Sequence, residues 1–246
     1  LRRSNKIFCR RCCKAESGTS RSFFFARIEF CRFVNTAGME THNAPARVRR
    51  DLVARDVKNM VFVFALVSFL GWCTEMLACY PFSGWQDRGF LTLPFCTIYG
   101  TAALFYYYAF GLPQEPRFFK LRVFQGNGAA AFLRYAYYFF VTAFLAAALE
   151  YVTALFFDSA FSVRLWYYER YAFNLSGYVS LGFSLIWGAL STVFMRFGFV
   201  PMLRFAALMP SRAITAVVAV IIVALLADYA FNYIYLAIHG YRFMLF

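Results

Sequence analysis

An all-α, polytopic membrane protein with about five transmembrane helices and a cytoplasmic N-terminus is the fold class that this chain dictates. Three observations carry that reading. Of 246 residues, 62% are hydrophobic and 22% aromatic, and only 15% are charged, against roughly 25% charge in a soluble domain. The apolar residues fall in continuous runs of about 20, the length that crosses a hydrocarbon core. The runs do not alternate, so they are helices and not barrel strands.

The first 56 residues stand apart from the rest. Residues 1–56 are rich in Arg, keep no sustained period and read as a basic, disordered region; 57–246 read as a helical membrane domain. The chain opens on Leu1, and Met39 is an internal candidate start, so 1–38 are expected to be an upstream extension of the gene or a tail. Five runs come after it, at about 57–79, 95–112, 135–158, 177–200 and 213–238. The second is the shortest. The connections between them are 80–94, 113–134, 159–176 and 201–212, and Gln125-Gly126-Asn127-Gly128 marks a break in the second of these.

The orientation follows from the basic residues. Fourteen Lys and Arg precede Val61, four lie in the second connection (Arg117, Lys120, Arg122, Arg134), and three lie around the fourth (Arg196, Arg204, Arg212). The other side holds four: Arg88, Arg164, Arg170 and Arg242. The positive-inside rule then sets the N-terminus in the cytoplasm and the C-terminus outside. The net charge of +13 is thereby a topology signal and not a nucleic-acid footprint.

Acids inside such runs need a reason, because each costs on the order of 2.5–3.5 kcal/mol near the bilayer centre. Glu75, Glu150 and Asp228 are those acids, all placed toward the outer half. Small residues share their helix faces: Ala65, Ser68 and Gly71 with Glu75, and Ala143, Ala146, Ala147 and Ala154 with Glu150. Gly177, Ser180, Ser184, Gly188 and Ser191 make a third stripe, and Asn232 lies one turn beyond Asp228. Small stripes let helices approach closely in lipid, so the acids are expected to point into the bundle toward a common substrate or ion site. Asp87 and Arg88 in the first outer connection, and Trp166, Tyr168 and Asn174 in the second, are candidates to close it. The plainer reading makes the aromatics interfacial anchors and the acids packing partners.

Other chemistry is scarce. His42 and His239 are terminal and lack metal-ligand spacing, no phosphate-loop motif occurs, and no cofactor or enzymatic activity is expected. The seven cysteines form no framework. Cys9, Cys12, Cys13 and Cys31 have poor spacing for zinc, and Cys79 with Cys96 is a candidate disulfide near one membrane face.

Several multi-residue motifs carry a resemblance. They are FLGWCTE (Phe69 to Glu75), DRGFLTLPFCTIYG (Asp87 to Gly100), LEYVTALFFD (Leu149 to Asp158), LWYYERYAFNLSG (Leu165 to Gly177) and SLIWG (Ser184 to Gly188). In this order they resemble the bacterial CmpB-like (type IV) ABC-transporter permease family. Trp72, Tyr99 and Gly100 also occupy motif positions, whereas Thr97 and Tyr178 stand where the family has Pro and Arg. The resemblance implies a permease-like subunit in the bacterial cytoplasmic membrane, its substrate unnamed. A separate ATPase would dock on the 113–134 connection, and a homodimer or a partner permease would complete the pore wall. The alternative is a non-transport accessory, scaffold or sensor that binds a lipid, an envelope component or a partner protein.

Overall fold

The computed structural model describes residues 46–84, 89–126 and 128–245. The chain divides into Leu1–Ala54 and Arg55–Phe246, and the helical bundle is built from the second unit. The expectations for residues 1–38 and for the N-terminal cysteines lie outside the described residues, as do Asp87 and Arg88.

The unit is mostly helical. Helix α1 (Ala46–Ser83) leads to α2 (Thr97–Phe105), which continues as a π-helical turn, Tyr106–Phe110. Strands β1 (Gly111–Leu112), β2 (Glu115–Phe118) and β3 (Leu121–Arg122) form an antiparallel sheet in that order. Helix α3 (Ala129–Phe161) comes next, then a hairpin of β4 (Asn174–Leu175) and β5 (Val179–Ser180). Helices α4 (Leu181–Phe197), α5 (Phe199–Leu208) and α6 (Ser211–His239) complete it.

Among the described residues, three segments are long and apolar enough to cross a membrane: Asp56–Pro81, Ala129–Phe161 and Ser211–His239. At about 1.5 Å per residue each exceeds a hydrocarbon core of about 30 Å. A fourth is made by α4 and α5 together, which meet at a bend of 43°. Pro201 accounts for the bend, since it cannot donate to the carbonyl of residue 197 and its ring crowds that turn. The apolar runs predict five spans. The second run yields only the helix from Thr97 to Phe110, ended by Gly111 at a φ of 72°, and is too short to count by length.

The helices alternate in direction. Gly71 meets the Tyr99 side chain and Gly100 meets Ser68 and Phe64, so α2 runs antiparallel to α1. Gly188 sits against Ala143, and Arg196 Nε donates to Tyr135 OH at 3.1 Å, so α4 runs antiparallel to α3. Lys58 Nζ donates to Thr215 Oγ1 at 2.8 Å, which sets α6 parallel to α1. The small-residue stripes therefore do what their spacing promised. A methyl group on Gly100 would come within 2.5 Å of the Phe64 carbonyl, a backbone atom. Gly100→Ala is expected to cost about 1–3 kcal/mol by overpacking, read as a lower melting temperature in detergent.

The two ends of the bundle differ. The apolar core, with Val63, Tyr106, Tyr138, Met195, Phe199 and Ile214 at its centre, lies toward the end that holds the β1–β3 sheet. Tyr138 OH donates to the Gly111 carbonyl at 3.0 Å, and Arg117 Nη2 donates to the Tyr107 carbonyl at 2.8 Å, so the sheet is fastened to α2 and α3. The opposite end carries the acids.

Candidate functional site

Glu75 sits near the end of α1, one helical turn past Gly71. Because Gly71 has no side chain, the Tyr99 ring packs directly on α1 there and brings the start of α2 beside the carboxylate. Cys96, buried just before α2, donates its thiol to Glu75 Oε2 at 3.2 Å. The Cys96 backbone N–H is held by the Ser68 carbonyl at 3.0 Å. Cys79 and Cys96 are not disulfide-bonded; the Cys96 sulfur serves the carboxylate instead.

Glu150 comes to the same place from α3. It lies within electrostatic range of Glu75, and the Trp187 indole is in hydrogen-bonding reach of it. Tyr168 OH donates to Glu150 Oε1 at a long 3.5 Å, whereas Oε2 is buried with no hydrogen-bond partner among the described residues. Tyr99 lies within electrostatic range of Glu75, Cys96, Glu150 and Tyr168, and its ring meets Trp187 edge-on at 5.2 Å. The two carboxyl groups thus lie within electrostatic range of each other, near the Tyr99 and Trp187 rings. They repel each other when both are charged.

Tyr168 reaches Glu150 from the connection between α3 and α4. Its backbone N–H donates to the Gly177 carbonyl at 2.9 Å, and its ring packs against Tyr171 and Phe183. Burial first, then the Glu150 and Glu75 charges, push its phenol far above the usual range. It stays a neutral donor at any physiological pH.

Trp166 and Asn174 shape that connection without facing the carboxyl pair. Trp166 Nε1 donates to the Tyr178 carbonyl at 2.7 Å. Asn174 Nδ2 donates to the Tyr171 carbonyl at 2.9 Å, and its Oδ1 accepts from the Gly177 N–H at 3.1 Å. Tyr178 donates to Asp158, Arg164 Nε lies 3.5 Å from the same carboxylate, and the Arg164 guanidinium rests over the Tyr178 ring at 5.4 Å.

Asp228, grouped by sequence with Glu75 and Glu150, has its oxygens engaged elsewhere. Oδ2 accepts from the Leu93 N–H at 2.9 Å, and Oδ1 accepts from the Thr92 N–H at 3.3 Å and from Asn232 Nδ2 at 2.9 Å. Nearby, Thr97 and Tyr229 bond through their hydroxyls, and Arg242 donates to the Gly89 carbonyl. Asp228 therefore ties the segment before α2 to α6. Sequence reasoning misses Cys96 and Trp187 as site residues and marks Tyr99 only as a motif position. Their signal is present all the same, in the FCTIYG and SLIWG motifs.

Glu75, Glu150 and the connection that carries Tyr168 lie within one stretch recognised by a family model. The model, described as "Putative ABC-transporter type IV" (ABC_trans_CmpB), matches residues 62–233, well over half of the chain. This protein belongs to that family. No curated protein and no solved structure matches it. The matched CmpB-type region begins in α1 ahead of Glu75 and ends in α6 just past Asp228 and Asn232, so all three acids lie inside it.

Proposed function

We propose that this CmpB-type protein is the membrane-embedded, permease-like subunit of an ABC-type transport system, and that the Glu75–Glu150 space is its polar binding site. One observation supports the reading: Glu75 and Glu150, on different spanning helices, lie within electrostatic range of each other, with Cys96 bonded to the first and Tyr168 to the second. Carboxylates held together inside a membrane mark paths for ions and polar substrates. A cation, or a cationic group of a substrate, relieves their mutual repulsion and completes the coordination of Glu150.

The topology we infer has five passes, with α2 and its π-helical turn as the short one and α4–α5 as the bent one. Alternating helix directions support it. The basic residues Lys58, Arg117, Arg134 and Arg196 gather with the sheet at one end, which argues for a cytoplasmic N-terminus and an outward-facing carboxyl site in a bacterial plasma membrane. A separate ATPase subunit meets the cytoplasmic end, and a second permease chain or a second copy closes the pore wall. The chain itself contributes no hydrolytic step.

The test is transport in proteoliposomes with the cognate ATPase. Glu75→Gln keeps the size and the Cys96 hydrogen bond but removes the charge, and is expected to reduce flux by at least about tenfold, the effect of losing roughly 1.4 kcal/mol of differential binding. Unchanged flux in a folded Glu75→Gln protein would remove the site. Failure of any ATPase to co-purify would move the chain toward an accessory or sensor role.

A further inference from the structure

The hairpin formed by β2 and β3 breaks a local rule. Its two-residue turn is Phe119-Lys120, between the paired Phe118 and Leu121, where such turns ordinarily use Asn-Gly or Gly. Phe119 has a φ of 52°, a conformation that bulky side chains avoid. Nor does the turn project away from the bundle. The Phe119 N–H donates to the Ala109 carbonyl at 2.6 Å, and the Phe118 ring stacks on Phe110 with centroids 6.3 Å apart. The hairpin is folded back along the end of α2, level with residues whose other faces line the apolar core.

At that level Phe118, Phe119 and Leu121 remain 49%, 56% and 70% exposed. They extend the outward flank of α2, where Phe105 and Tyr108 are also exposed. Lys120 and Arg122 stand beside them on the surface. Arg122 pairs in register with Arg117, an arrangement of like charges that destabilises a sheet unless an anion lies near. From Gly111 to Phe124 the sequence holds three basic residues and one acid, Glu115.

We propose that this hairpin is a built-in anionic-lipid contact: Phe118, Phe119 and Leu121 enter the hydrocarbon edge while Lys120 and Arg122 hold acidic headgroups above it. Continuity with the lipid-facing flank of α2 puts the rings at membrane depth. Long basic stems beside them let charge reach the headgroup layer while their methylenes stay in the apolar zone. Anionic leaflets attract juxtamembrane cations of this kind. The occupant of the tip is then lipid, not the ATPase, and the strained turn is retained because a phenyl ring at 119 is buried on the membrane side.

The experiment uses the full chain with a fluorinated phenylalanine at position 119, in nanodiscs of phosphatidylcholine with or without phosphatidylglycerol. Fluorine NMR broadening is compared for a nitroxide on the lipid tails and for a water-soluble gadolinium chelate. The expected result is broadening by the lipid nitroxide above that by the chelate, and stronger when phosphatidylglycerol is present. Reversing each cation, Lys120→Glu and Arg122→Glu, is expected to reduce the membrane-inserted population by about fivefold or more per residue. Lys120→Gln with Arg122→Gln serves if the reversed variant does not fold. Dominant broadening by the chelate overturns the proposal, as does an inserted population that is insensitive to both the headgroup and the cations. Protection from both reagents that appears only with the ATPase bound assigns the surface to that subunit and overturns it too.

Discussion

Asp228→Ala is expected to destabilise the protein by about 2–6 kcal/mol, the range for leaving two buried N–H donors unpaired. Asp228 is 8% exposed and Asn232 is 1% exposed, so water does not replace the missing oxygens. The substitution orphans the N–H groups of Thr92 and Leu93 and one bond of the Asn232 amide. Each buried donor left unpaired costs about 1–3 kcal/mol. Asp228→Asn keeps one acceptor oxygen and is expected to lose less than half as much. The measurement is the melting temperature in detergent, with the order wild type, Asn, Ala. Equal melting temperatures for wild type and Ala would show that the tie to α6 contributes nothing.

Glu150→Gln is expected to behave in the opposite way. One Glu150 oxygen has no partner, the other accepts a long bond from Tyr168, and a second carboxyl stands nearby. Replacing a poorly compensated buried charge by a neutral group of the same shape is neutral or stabilising. The melting temperature is expected to hold or to rise, by up to the equivalent of about 1–2 kcal/mol, while flux falls with that of Glu75→Gln. Stability that rises as activity falls is the signature of a site kept strained for function. A clear loss of stability in Glu150→Gln would make the carboxyl pair a packing device. Measured side by side, Asp228 and Glu150 thus separate the acid that holds the fold from the acid that serves the site.

Much of the fold is legible in the order of residues alone. The long spans containing Val63, Tyr138 and Val218 follow from run length, because lipid leaves a continuous apolar run no alternative to helix. The small residues mark close approaches that the structure shows, Gly71 against Tyr99 and Ala143 against Gly188. Other parts are hidden for identifiable reasons. The second run stops short because Gly111 adopts a positive φ, and a glycine in a hydrophobic run looks the same whether it packs or terminates. The sheet goes unannounced because Phe119 occupies a turn position that normally carries Asn or Gly. Asp228 groups with the other acids by sequence because its partners are backbone N–H groups more than 130 positions away, and main-chain donors carry no signature there. Tyr168 is legible, as an aromatic beside a carboxylate.

The uneven distribution of contacts along the bundle has a mechanical corollary. One half is welded by interlocked rings such as Tyr107 on Phe199, and parting it would wet a large oily area. The other half is laced, through Asp228 to Thr92 and Leu93, Arg242 to Gly89, and Tyr168 to Glu150. Opening the acid end is then expected to give up those polar ties and also to part the packed rings of Phe90, Phe157 and Tyr233.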